Sequence, residues 1–220
     1  MLQSTTLKFL SDLKKNNNKA WFETNRNRYE EAKADYSLLV ESIIAAIVRF
    51  DALVGGLKAK DCMFRINRDV RFSKDKSPYK TNMGAYFNAA GKKANTPGYY
   101  FHLEPAQSFA AGGLWMPEPA DLAKLRQEID YNAGAWKKIV KSPSFKKYFT
   151  EGLDNSSMLS RPPKGYTEDN PALEYLKLKS YVVRYPVSDA MLCKKTLAKD
   201  IAAVFERMKP MLDFLKQAVE

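Results

Sequence analysis

The sequence predicts an α+β protein, one antiparallel sheet of four to five strands flanked by N-terminal and C-terminal helices. Two observations carry this expectation. Near both ends, apolar residues recur at three- and four-residue steps, as on the buried side of a helix. Between them lie short, aromatic-rich stretches separated by turn residues, as successive strands require. Their short connections favour antiparallel pairing, because a parallel crossover needs roughly a dozen residues or more.

Taken in order, "STTLKFLSDLKK" reads as a short helix capped by Ser4 or Thr5, with Leu7, Phe9, Leu10 and Leu13 on its apolar side. Asn16–Asn18 interrupts it, since asparagine favours caps and turns. A longer helix is expected from about Lys19 to Phe50, stopped by Gly55–Gly56. The strands are "MFRINRDVRF", "MGAYFNA", "GYYFHLEP" and "QSFAAGGLW", with "LKSYVVRYPV" as a late fifth. Leu122, Leu125 and Ile129 share one face of a helix after Pro117. A final apolar-periodic run begins near Ser188, and Pro210 is expected to kink it. No repeat or long linker divides the 220 residues, so a single domain, 1–220, is expected.

The longest strongly apolar run, Ile43–Val48, is too short to cross a bilayer, so no membrane partner is expected. "MLQSTTLKFLSDLKK" lacks the basic start and long apolar middle of a signal peptide. Cys62 and Cys193 form no CxxC pair, so a reducing cytoplasm fits best. The net charge of +11 invites a nucleic-acid partner, yet most of the excess is lysine scattered in pairs. No Walker loop, dinucleotide fingerprint or G-x-S-x-G motif occurs.

The arginines are the sharper signal. Arg65, Arg68 and Arg71 fall within seven residues of "FRINRDVRFSKDKSPYK", and Lys74, Lys76 and Lys80 follow. Read as a strand, period two sets Phe64, Ile66, Arg68, Val70 and Phe72 on one face and Arg65, Asn67, Asp69 and Arg71 on the other. Arg68 would then enter the core and need a carboxylate, carbonyls or a bound anion. Asp69 would stand between Arg65 and Arg71. Two readings stay open: a salt-bridged ladder that binds nothing, or an orienting Asp69 that aims guanidinium forks at a phosphate or carboxylate.

Arg65, Arg68, Asp69, Arg71 and Phe72 spell Arg-x-x-Arg-Asp-x-Arg-Phe, with Asp75, Lys76 and Tyr79 beyond it. This pattern resembles the widespread bacterial family catalogued as domain of unknown function 2461. The likeness extends through "NNNKAWFETN", "GYYFHLEP", "GGLWMPEP" and "RPPKGY…NPALEYLKLKS". One departure is Asn170, where the resemblance implies a histidine before Pro171. The resemblance implies a single cytoplasmic domain and supplies no activity, so chemistry must come from the residues.

His102 is the only histidine, and period two sets it beside Glu104 and Tyr100 on one strand face. A carboxylate that orients an imidazole suits proton transfer near neutral pH. A metal site from Asp69, Asp75, His102 and Glu104 would be repelled by the surrounding guanidinium groups, so no metal is expected. The resulting expectation is an anionic small molecule or nucleotide held by Arg65, Arg68, Arg71, Lys76 and Tyr79, oriented by Asp69, with His102 and Glu104 as the acid–base pair. The alternatives are a nucleic-acid-binding module using the same stretch, and a structural or interaction protein whose arginines serve internal salt bridges only.

Overall fold

In the computed structural model, which describes residues Met1–Glu220, four strands pair antiparallel in sequence order: β1 (Met83–Phe87), β2 (Gly98–Leu103), β3 (Phe109–Leu114) and β4 (Tyr181–Pro186). Helices α1 (Ser4–Lys15), α2 (Lys19–Thr24), α3 (Arg26–Ile47) and α4 (Ala59–Cys62) precede the sheet. Between β3 and β4 come α5 (Pro119–Tyr131), α6 (Ala133–Val140), α7 (Pro143–Tyr148) and α8 (Leu173–Leu176), and after β4 come α9 (Asp189–Leu192) and α10 (Leu197–Val219). The α+β class is as expected. Four of the five expected strands form, and α10 runs on through Pro210.

The chain divides into two compact units. The first comprises Met1–Lys92, Tyr100–Ala110 and Pro186–Ala203. Its helical layer is α1 on α3, closed by buried Phe9, Leu10 and Leu13 and by Tyr36, Val40, Ile43 and Ile47. Each such side chain contributes about 1.5–3 kcal/mol by leaving water. Neither Ser4 nor Thr5 caps α1. Instead Asp35, from α3, accepts from the Gln3 backbone N–H and the Thr6 hydroxyl, so the cap is tertiary. The expected long helix is broken at Asn25, whose side chain donates to the Trp21 carbonyl and accepts from Arg28. Asn18 caps α2 by accepting from the Trp21 N–H.

β2 shows the alternation that the sequence predicts. Tyr99, Phe101 and Leu103 are buried, while Tyr100 and His102 are half-buried on the opposite face. Tyr36 of α3 donates its hydroxyl to the Phe101 carbonyl at 3.1 Å, tying helix to strand.

The second unit comprises Lys93–Tyr99, Ala111–Tyr185 and Val204–Glu220. Its core centres on Trp136, packed edge-on against Tyr175 and Tyr181 and tilted against Phe214. Arg126 closes the end of α8 by donating to the Leu176 and Leu178 carbonyls. Asn170 accepts from the Ala172 N–H and donates to Asp130, a structural task for the residue before Pro171. Gly113 has φ +134°, and a Cβ there would lie 1.9 Å from the Tyr181 carbonyl oxygen. No helix is long and apolar enough to cross a membrane.

Candidate functional site

The segment Met63–Asn82 corrects the strand expected at "MFRINRDVRF". It is an open hairpin, held by isolated bridges Met63↔Ala85 and Asn67↔Tyr79 and by single hydrogen bonds such as Arg68 N–H to Pro78 O and Lys80 N–H to Ile66 O. The physical reason is local competition for the backbone. Asp69 accepts from the Arg71 N–H, Asp75 accepts from the Ser77 N–H, and Pro78 has no N–H to offer. The two-faced alternation therefore does not exist. Ile66 is buried, but Phe72 is 96% exposed at the loop tip.

This changes what the arginines do. Arg68 lies at the base of the loop, its side chain 24% exposed, rather than unpaired in the core. It pairs with Asp75 and donates to the Ser77 carbonyl at 3.1 Å. Asp75 also accepts from the Ser77 hydroxyl and N–H. Those two bonds, then Arg68, bring its carboxyl down to about 2. Arg71 grips Asp69 through Nε (3.0 Å) and a terminal nitrogen (2.7 Å) near the exposed tip. The Arg71 hydrogen bonds hold the Asp69 carboxyl below its usual range, with the Arg65 charge adding to them. Asp69 thus holds one arginine in a two-point grip, not two equally. Lys76 reaches the Val70 carbonyl, and Tyr79 is buried, stacked 3.9 Å from Phe22. Asn17 fixes Tyr79 further, pairing with both its backbone N–H and its carbonyl.

Four cations of the segment, Arg65, Lys74, Lys76 and Lys80, form no ion pair with a carboxylate, and all but Lys80 are exposed. Lys80 is half-buried, with its ammonium 5.5 Å from the centre of the Phe64 ring. Burial, and then the Arg65 charge, pull its pKa below the ordinary lysine value.

Glu104, just past the end of β2, brings a carboxylate to His102. His102 Nε2 lies 3.2 Å from Glu104 Oε2, and the two side chains are only 16% and 13% exposed. Glu104 Oε1 accepts from the Lys14 ammonium (3.1 Å) and the Thr81 hydroxyl (3.2 Å). Burial alone would raise the Glu104 carboxyl; the bonds from His102, Lys14 and Thr81 outweigh it and leave the pKa lowered. On the other side of the ring, Nδ1 faces the Tyr100 hydroxyl at 3.1 Å and the Asn82 amide nitrogen at 3.4 Å. Glu104 accepting at Nε2 calls for a proton on that nitrogen, and the Asn82 amide nitrogen facing Nδ1 suits a lone pair there. Phe109 stacks on the ring at 4.6 Å and fixes its plane. Gly84 makes room for the phenol: a Cβ there would lie 2.5 Å from the Tyr100 hydroxyl oxygen.

Two cavities adjoin these groups. One, of about 350 Å³, has Lys14, Arg68, Asp75, Lys80, Thr81 and Asn82 in its wall. The other, of about 550 Å³, has Arg65, Phe64, Met63, Tyr29 and again Asn82 in its wall. His102 and Glu104 stand immediately behind the smaller cavity, bonded to its lining residues Lys14, Thr81 and Asn82.

Of the sequence-predicted residues, the structure brings Arg68, Tyr79, His102 and Glu104 to one place, with Arg65 on the neighbouring cavity. Asp69, Arg71 and Lys76 line neither cavity. Sequence reasoning missed Lys14, Asn17, Thr81, Asn82 and Gly84. Only the asparagine run Asn16–Asn18 carries any signal, and by composition it reads as a turn. Asp69 and Asp75 are committed to arginines, and no group of three or more His, Cys, Asp or Glu residues is arranged to hold a metal ion.

A family described as "Conserved hypothetical protein (DUF2461)" matches the chain over residues 5–214. No curated protein and no solved structure matches it.

Proposed function

The chain belongs to the DUF2461 family, and from that premise we propose that it binds a phosphate- or carboxylate-bearing small molecule in the cavity walled by Lys14, Arg68 and Lys80. His102, oriented by Glu104, is the proton acceptor beside that molecule. One observation carries the reading: Lys80 is a half-buried ammonium with no carboxylate partner, and its charge is disfavoured by burial and by Arg65. An entering anion offsets both with an opposite charge beside the ammonium.

The neighbours support the same role. Asp75 and the Ser77 carbonyl fix the Arg68 fork in advance, so little side-chain entropy is lost on binding. Lys14 touches both the cavity and Glu104, so an anion drawing on Lys14 alters the carboxylate that orients the imidazole. The Glu104–His102 arrangement gives His102 Nδ1 a lone pair, able to take a proton from Tyr100 or from a ligand hydroxyl in its place. The internal salt-bridge alternative accounts for Arg68 and Arg71 but gives Arg65 and Lys80 no ion pair. A reducing cytoplasm is the compartment we propose, and both cysteines are unbridged.

The test is melting temperature against a panel of inorganic phosphate, simple carboxylates and sugar phosphates. Ligand at a hundred times its Kd adds about 2.7 kcal/mol, or roughly 5–10 °C for a chain of this size. Arg68→Met and Lys80→Met should each abolish the shift, with Lys80→Met leaving the apo melting point nearly unchanged. A shift that survives both substitutions refutes the site.

The exposed Phe72, beside Arg71, Lys74 and Lys76, favours a second reading in which the loop tip stacks on single-stranded nucleic acid. Binding to an oligothymidylate that weakens steeply with salt and is lost in Phe72→Ala supports it; salt-insensitive or absent binding removes it.

A further inference from the structure

Resting on that anion reading, we infer that the ligand is a nucleotide: its phosphate occupies the 350 Å³ cavity and its base lies in the 550 Å³ cavity, with Asn82 at the junction. Asn82 stands in the wall of both cavities, so the two are adjacent. Their chemistry differs as the two halves of a nucleotide do. The smaller wall is polar and cationic. The larger offers Tyr29, Ala34, Met63, Phe64, Ile66 and Met83 as apolar surface.

Two of the four cations of the larger cavity, Lys33, Lys60, Arg65 and Lys92, are committed. Lys33 pairs with Glu30, and Lys92 donates to the Lys60 and Met63 carbonyls. Arg65 has no hydrogen-bonded partner. A planar guanidinium beside an aromatic ring is suited to stack on, or fork to, a flat heteroaromatic group. Phe64 is 39% exposed and is held by Tyr100 edge-on and by the Lys80 ammonium near its face. The residue that presents the aromatic surface of one cavity thus touches the ammonium that lines the other. A phosphate on Lys80 places whatever it carries next to Phe64 and Arg65. An inorganic anion would leave this larger cavity unused, whereas a nucleoside monophosphate would use both, and their volumes lie in the range of small-molecule sites.

Isothermal titration of the full chain with inorganic phosphate, ribose 5-phosphate and the four common nucleoside monophosphates tests the inference. At least one nucleoside monophosphate should bind tenfold or more tightly than ribose 5-phosphate. The double variant Phe64→Ser/Arg65→Ala should still bind ribose 5-phosphate, but with the nucleoside monophosphate and ribose 5-phosphate affinities now within about twofold of each other. Equal affinity with and without a base, or an advantage that survives the double variant, overturns the inference while the anion site stands. Failure of inorganic phosphate and every phosphate ester alike overturns the anion reading, and this inference with it.

Discussion

Gly84→Ala separates the architecture of the imidazole site from the stability of the protein. An alanine Cβ at position 84 would lie 2.5 Å from the Tyr100 hydroxyl oxygen and 3.0 Å from Cε2, where ordinary contact begins at 3.4 Å. The phenol must therefore retreat by about 0.9 Å, the difference between those distances. It can do so, because Tyr100 is half-buried and the clash is with the far end of its side chain. The retreat breaks its 3.1 Å contact with His102 Nδ1. Losing one neutral hydrogen bond costs about 1 kcal/mol, and replacing glycine by alanine inside a strand returns about 0.5–1 kcal/mol. The terms nearly cancel, so the melting temperature should move by no more than about 2–4 °C. The chain has one histidine, so ¹⁵N imidazole resonances report on His102 alone. They should show the Nε2-protonated tautomer in the parent and a changed Nδ1 environment in the variant. A variant that unfolds, or an imidazole spectrum identical to the parent's, refutes the reasoning.

Gly113→Ala should behave in the opposite way. Its Cβ meets backbone, the Tyr181 carbonyl oxygen at 1.9 Å, at φ +134°, so a loss of more than about 3 kcal/mol is expected by denaturant titration. In native protein at pH 8, iodoacetamide should modify Cys193, which is exposed, and spare Cys62, which is buried with its thiol pushed up to about 11 by burial and by Asp61 and Glu41; mass mapping distinguishes the two. The Glu104 carboxyl has a lowered native pKa, so its contribution to stability is full above the unfolded value and is lost as pH falls through the native one. The acid-side loss of stability should therefore be shallower in Glu104→Gln, read from denaturant midpoints between neutral pH and pH 3.

Much of this was legible in the sequence where one local rule acted alone. The alternation in "GYYFHLEP" carries Tyr100, His102 and Glu104 to one face because β2 is regular and pleated. The apolar steps of α3 and α10 are read correctly because burial dictates them. The arginine stretch failed for the opposite reason. Its residues alternate well enough for a strand, but Asp69 and Asp75 take backbone N–H groups that a ladder would need. Lys14, Asn17 and Asn82 were illegible because their role depends on tertiary position: Lys14 meets a carboxylate ninety residues away. The cap of α1 was misread likewise, since Asp35 lies 29 residues beyond Thr6.

The central claim is that an anion settles against Lys80 and Arg68 next to the His102 imidazole. Titrating inorganic phosphate into the protein while following the ¹⁵N signals of His102 tests this most directly. The account predicts a saturable change in those signals that disappears in Lys80→Met. Signals that stay fixed, or drift linearly with phosphate in parent and variant alike, would contradict it.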